Sequence, residues 1–247
     1  MRPAGIGDAA EWLGLWERAA PWPLRRRRRE MLVAAGARDG LLSPEHLRVG
    51  EANARLLQMH VTMFGSRVGC GTTCPQCGQA LEMDIDAEEL LKQAPGFPAE
   101  PPPLRVEGWE ISFRVPAEAD VDAALGMRDE AAARDALLRR CVSECRRGAE
   151  SVAVSVLPPE AITRLLARME EVDPLATLDF DLRCEACGHG WSSALQVDSV
   201  LWARLDVWAR RLLQEVHSLA SVYGWNERDI VMMSPWKRQI YLDLVHG

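Results

Sequence analysis

Cys74-Pro75-Gln76-Cys77-Gly78 and Cys184-Glu185-Ala186-Cys187-Gly188 are the two stretches that decide how this chain folds. In each, a C-x-x-C turn sets two thiols one tetrahedral edge apart, and the glycine that follows accepts the tight bend that turns backbone amides toward sulfur. Both turns have strand-like flanks. Leu81-Glu82-Met83-Asp84-Ile85-Asp86 alternates apolar and acidic residues after the first turn, the pattern of a half-buried strand. Before the second, Leu178, Phe180 and Leu182 alternate with Asp179, Asp181 and Arg183; after it, Trp191 to Val197 reads as extended. Two such turns supply the four ligands of a structural zinc ribbon, here Cys74, Cys77, Cys184 and Cys187 around one Zn ion. Four cysteine ligands leave no open position for water, so the site is structural rather than catalytic. The spacing is unusual, because 106 residues separate Cys77 from Cys184 where a spacer of roughly 15–20 is the rule.

The expected fold is therefore α+β: a split four-cysteine zinc ribbon with an inserted α+β segment, flanked by N-terminal helices and a C-terminal helical module. The divisions are 1–65 (N-terminal helical region), 66–93 (first half of the ribbon), 94–176 (insert), 177–197 (second half) and 198–247 (C-terminal module). Ahead of the ribbon, the cluster Trp12, Leu13, Leu15 and Trp16 breaks at Pro21 and Pro23, and Arg25–Arg29 lead into a short helix closed by Gly36. Ser43-Pro44 reads as an N-cap and first turn, opening a helix that reaches Phe64-Gly65. The proline-rich 94–103 reads as an extended linker. Within the insert the pattern predicts a hairpin over 104–115, helices over 117–126 and 129–146, a β-prone 151–157, and a helix after Pro158-Pro159. Asp198 can cap a long helix to about Val222, Gly224 suits its C′ position, Asn226 caps a short helix through Met232, and Ser234-Pro235 starts the last one.

Composition narrows the function. The chain has 247 residues, a net charge of −7 and seven cysteines. An odd number of cysteines does not suit a closed disulfide framework, and a redox C-x-x-C would open a helix, which neither pair does. Met1 to Trp12 shows no basic start leading into an apolar run, so no secretory signal is expected and a reducing, cytoplasmic setting is the default. Cys70 fits poorly as an alternative ligand, and Cys141 and Cys145 read as core residues on one helical face. His189 reads as a turn or surface residue, and His217 as a core or interface one. The sequence contains no G-x-S-x-G, Gly-rich phosphate loop or H-E-x-x-H, and no enzymatic activity is expected. Ribbons often bind nucleic acid, but the flanking strands carry Glu82, Asp84, Asp86, Asp179 and Asp181, which repel phosphate. The basic run Arg25–Arg29 reads as a solvated or locally paired helix face. A zinc-ribbon nucleic-acid-binding or regulatory protein stays the alternative.

The order of motifs resembles a bacterial zinc-ribbon family encoded with phage-tail-like contractile injection systems and related to baseplate hub assembly chaperones of contractile-tailed phages. The stretches that carry it are VGEANARLL at 49–57, FG at 64–65, CPQCGQALE at 74–82, FRVPAEAD at 113–120, DP at 173–174 and CEACGHGW at 184–191. The tail, LLQEVHSLASVYGWNERDI at 212–230 and SPWKRQIYL at 234–242, completes it. The resemblance implies a non-enzymatic assembly factor or structural component whose partners are baseplate, hub or tape-measure proteins. Tyr223, Trp225, Ile230, Trp236 and Tyr241 are the candidate partner-binding residues, each of which either docks a partner or packs within the module.

Overall fold

The computed structural model of this chain describes residues 8–36, 43–93 and 101–246. It opens with α1 (Ala9–Ala19), whose Asp8 N-cap accepts the Glu11 amide at 2.9 Å, and α2 (Leu24–Gly36). A 3-10 turn at Pro44–His46 precedes α3 (Val49–Phe64), so Ser43-Pro44 begins that turn and makes no side-chain cap to the long helix. Then come the hairpin of β1 (Arg67–Thr73) and β2 (Ala80–Asp86) and a short α4 (Ala87–Lys92), capped by Asp86 through the amides of Glu88 and Glu89. The middle of the chain holds β3 (Leu104–Val106), β4 (Trp109–Phe113), α5 (Glu118–Leu125), α6 (Glu130–Cys141), β5 (Val142–Arg147) and β6 (Glu150–Ser151). A second 3-10 turn (Val154–Val156) leads to α7 (Pro159–Val172), the hairpin of β7 (Asp179–Arg183) and β8 (Gly190–Ala194), and α8 (Val197–Tyr223). The tail is α9 (Glu227–Val231), capped by Asn226, and α10 (Pro235–His246). Residues 94–100 of the proline-rich stretch lie outside the described residues; 101–103 take no regular structure.

The chain divides into two units. One comprises 42–196; the other joins 1–41 to 197–247. In the first, β3-β4-β5-β6 form an antiparallel sheet whose buried face packs on α7 and α6. Trp109, Ile111 and Phe113 alternate inward along β4, as period-two side chains must, and meet Leu165, Met169 and Val172 of α7. Asp120, 1% exposed, accepts the Ala117 amide at 2.9 Å and Arg140 Nε at 2.6 Å, and is also bonded by Arg114. These bonds hold its carboxyl at about 2 against the pull of burial, which alone would raise it. Two sequence expectations are corrected here. The helix read over 129–146 stops at Cys141, because Val142 turns extended and residues to Arg147 pair with β4, opposing Ile111 to Cys145. Cys141 and Cys145 therefore lie on a helix end and a strand, not on one helical face, although both are buried in the same core. The β-prone 151–157 yields only Ser151 to a strand; Val154–Val156 form the second 3-10 turn.

In the other unit, α8 is the spine. Leu212, Val216 and Leu219 on one face of it join Leu13 of α1, Ile230 and Val231 of α9 and Leu242 of α10. Trp16 donates its indole N–H to Asp206 at 2.8 Å, and Arg238, 6% exposed, bonds Glu215 at 2.6 Å and the Met233 carbonyl at 3.1 Å. α8 starts at Val197, two residues ahead of the expected Ser199, with Asp198 accepting the Ser199 amide. His217 is exposed rather than buried. Among the described residues no helix is long and apolar enough to cross a membrane.

Candidate metal centre

The site is built by two turns of the same design. β1 ends at Thr73 and β2 begins at Ala80, and the six residues between them close on two backbone bonds. The Cys74 amide donates to the Gln79 carbonyl at 2.9 Å and the Gly78 amide to the Cys74 carbonyl at 3.0 Å. In the second turn the Cys184 amide donates to His189 at 2.9 Å and Gly188 to Cys184 at 2.8 Å. Gly78 and Gly188 sit at φ 75° and 74°, a left-handed region that a side chain enters at a cost. This geometry brings the first and second cysteine of each turn to the same side.

The two turns then meet. Cys74 Sγ lies 3.7 Å from Cys187 Sγ, and Cys77 Sγ lies 3.6 Å from Cys184 Sγ. All four sulfurs lie within 4.8 Å of one another. A disulfide needs about 2 Å, so these are not bonded pairs. Zinc bound to four thiolates at about 2.3 Å sets its sulfurs about 3.8 Å apart, and the two cross-turn distances fall close to that edge. Cys74 and Cys184 are buried; Cys77 and Cys187 are exposed. Among the described residues, these four make the only such group of donors that could hold a metal ion.

Electrostatics agree with the geometry. Burial pushes the Cys74 thiol up, but the amides of Cys77 and Gln76 and the Cys187 thiol outweigh it and bring the group down to about 7. At Cys187 the His189 amide favours the thiolate, yet burial and the crowding of Cys77, Cys184 and Cys74 push the group up to about 12. The turn amides thus favour the thiolate at Cys74 while the crowded sulfurs oppose it at Cys187, and a cation among them would offset that opposition. A closed set of four soft donors suits Zn and leaves it no site for substrate or water.

The remaining cysteines stand apart. Cys70, half-buried on β1, aims its Sγ at the Met83 carbonyl at 3.7 Å, and burial raises its thiol, as it does those of Cys141 and Cys145. His189 stacks on Trp191 with ring centroids 6.1 Å apart.

The residues singled out in the tail separate into three groups. Ile230 is wholly buried and belongs to the core of its unit. Tyr223, Trp225 and Tyr241 form one aromatic cluster, Trp225 stacked on Tyr223 at 4.5 Å and edge-on to Tyr241 at 4.8 Å, packed against that core. Trp236 is 76% exposed. It shares a face of α10 with Ile240 and Leu244, at i, i+4 and i+8, and Leu244 is 67% exposed. The face containing Arg238 and Leu242 is buried. α10 thus presents a covered face with Leu242 and a second, open apolar line at 236, 240 and 244. Its 236–240–244 spacing was visible in the sequence; which of the two faces stays open was not. The run Arg25–Arg29 is drawn into its own unit: Arg26 lies over Trp22 at 3.2 Å, Arg27 over Trp202 at 4.4 Å, and Arg28 is 5% exposed. No family model, curated protein or solved structure matches this chain.

Proposed function

We propose that this chain is a non-enzymatic assembly factor or structural component of a phage-tail-like contractile injection system, working in the cytoplasm. In this reading a single structural zinc ion is held by Cys74, Cys77, Cys184 and Cys187 as the two halves of a split ribbon. The sulfur spacing and the closed donor set support the metal. The motifs at 49–57, 74–82, 184–191 and 212–242 support the family. The observation that carries the docking role is the second, open apolar face of α10. An exposed tryptophan in line with exposed aliphatic side chains has the make-up of an interface anchor. Baseplate, hub or tape-measure proteins are the partners the resemblance implies. The nucleic-acid alternative has less behind it, since Arg26, Arg27 and Arg28 are engaged within their own unit and the hairpins expose Glu82, Asp84, Asp86, Asp179 and Asp181.

The test is co-expression of the full chain with baseplate, hub and tape-measure proteins of such a particle, alongside metal analysis. One zinc per chain is expected, together with co-purification that is lost in Trp236→Glu/Leu244→Glu while the fold is kept. A folded protein free of metal would refute the zinc role; undiminished co-purification of the variant would refute the docking role.

A further inference from the structure

The two cysteine hairpins are alike well beyond their turns. Cys184 follows Cys74 by 110 positions, and the same step connects element after element. The 3-10 turn Pro44–His46 recurs as Val154–Val156. Leu47 and Leu157 then leave it with φ/ψ of −65°/137° and −61°/129°, and both are buried. α3 starts at Val49 after Arg48 at −62°/150°; α7 starts at Pro159 after Pro158 at −68°/155°. β1 and β7 end at Thr73 and Arg183, and β2 and β8 begin at Ala80 and Gly190.

Register and burial follow the same step. Gly69↔Asp84, Cys70↔Met83, Gly71↔Glu82, Thr72↔Leu81 and Thr73↔Ala80 become Asp179↔Ala194, Phe180↔Ser193, Asp181↔Ser192, Leu182↔Trp191 and Arg183↔Gly190. From 67 to 78 and from 177 to 188 the sequence of buried, half-buried and exposed positions is identical. The next helix begins at Ala87 in one case and Val197 in the other. Any two C-x-x-C-G turns would share their inner hydrogen bonds. They would not share a 3-10 turn and a helix start some thirty residues upstream.

The sulfur contacts give the relation between the hairpins. Exchanging Cys74 with Cys184 and Cys77 with Cys187 carries the 3.7 Å contact of Cys74–Cys187 onto the 3.6 Å contact of Cys77–Cys184. That is the signature of a local two-fold through the centre of the four sulfurs.

We infer that residues 43–86 and 153–196 are two copies of one unit, and that the metal centre lies on the two-fold between them, each copy supplying half of a site that neither closes alone. The segment between them is then a domain joining two copies rather than an insertion into one ribbon. The copies differ in three respects: β1 and β2 pair over two more positions than β7 and β8; Leu56 of α3 is wholly buried where the matching Leu166 of α7 is 39% exposed; and α7 ends two residues before the position matching Phe64, the loop after it carrying Asp173 and Leu175, which bond α3 of the other copy through Gly50 and Asn53. This inference rests on the metal reading only for what fills the site.

The test is Co²⁺ binding by the full-length protein with each cysteine changed singly to serine. Loss of a ligand is expected to weaken binding by more than the roughly 10–100-fold typical of losing an outer-shell partner. Under the two-fold, Cys74→Ser should match Cys184→Ser, and Cys77→Ser should match Cys187→Ser, each within about threefold. A larger mismatch within either pair, or a grouping of losses by hairpin, would overturn the inference. Should the wild-type chain bind no metal, the zinc reading fails by itself. Hydrogen exchange of the same full-length chain then decides the duplication: matched protection of the Cys74 and Cys184 amides and of the Gly78 and Gly188 amides sustains it, and unmatched protection ends it.

Discussion

Gly50→Ala should be among the most damaging single-methyl additions in this protein. Gly50 is the second residue of α3, and its amide donates to Asp173 Oδ2 at 3.0 Å. A Cβ at position 50 would lie 1.7 Å from Asp173 Oδ1, 2.6 Å from its Cγ and 3.0 Å from the Ala176 amide nitrogen. Asp173 is 1% exposed, so the carboxyl has no solvent to swing into. Relief requires it to leave the Gly50 amide, which forfeits a hydrogen bond to a charged acceptor worth about 1.5–3 kcal/mol. Displacing a packed loop adds to that, so the expected loss is about 2–4 kcal/mol, or roughly 4–16 °C in Tm for a domain of this size. Alanine's better helix propensity recovers at most about 1 kcal/mol. The assay is a double-mutant cycle by urea denaturation. Asp173→Ala removes both the bond and the obstacle, so Gly50→Ala/Asp173→Ala should be no less stable than Asp173→Ala alone. The coupling should then equal most of the Gly50→Ala penalty. A Gly50→Ala protein within about 0.5 kcal/mol of wild type, or additive behaviour in the cycle, would refute the reasoning.

Asp173→Asn probes the same contact through pH. Burial raises the folded carboxyl above its usual range, so its contribution to stability is fully present in acid and is lost as pH rises through the folded value. The asparagine variant should therefore gain on wild type in urea melts as pH rises from about 4 toward 7; a constant difference would contradict this. Asp120 has the opposite sign. Its carboxyl is held at about 2 by Arg114, Ala117 and Arg140, so its stabilisation is present above about 4 and fades as pH falls toward 2. Asp120→Ala should cost about 2 kcal/mol at neutral pH, less than the roughly 3–5 kcal/mol of a fully buried broken pair because both arginines keep access to water, and the difference should shrink as pH falls toward 2. Chelation of the metal should free four titratable thiols and open the two hairpins, since two-stranded sheets are marginal alone. The circular dichroism of the helices should largely survive, and a global unfolding would contradict a metal that only clips the hairpins.

What the sequence disclosed depended on how few ways a residue can be used. Cysteine pairs followed by glycine have few structural uses, so the turns at 74–78 and 184–188, and the grouping of their four cysteines, were legible. The alternation at 81–86 and 178–183 was legible for the same reason, because one slip would turn every apolar side chain to water. Gly224 at φ 69° and the Asn226 cap sit where their chemistry directs. The helix read over 129–146 failed because Leu137, Leu138, Cys141 and Cys145 suit a helical stripe, whereas the choice at Val142 is made by a distant strand: Phe113 and Ile111, far back in the sequence, offer pairing that local propensity does not show. Asp120 and Asp173 were missed because their partners lie on other elements. The one local hint was Gly50 in the first turn of a helix, where glycine is otherwise unfavourable.

The duplication escaped the sequence for a related reason. At the 110-residue step, 43–86 and 153–196 share few identities: Leu47 with Leu157, Leu56 with Leu166, Met59 with Met169, and the Cys, Cys and Gly of the turns. Opposite Leu182 in one hairpin stands Trp191, and opposite Thr72 in the other stands Leu81. Each pair meets the same demand, a half-buried face on a two-stranded ribbon, with unlike side chains. Burial constrains polarity at such a position and leaves shape freer, since hydrophobic exchange is tolerated where the pattern is kept and neighbours can repack. Metal ligation constrains identity, since no other side chain provides a thiolate at that reach. Under those two pressures a repeated unit loses resemblance everywhere except at its ligands and the glycine that bends toward them. Those positions survive here beside the three matched apolar ones, so the four cysteines also fix the register in which the copies can be compared.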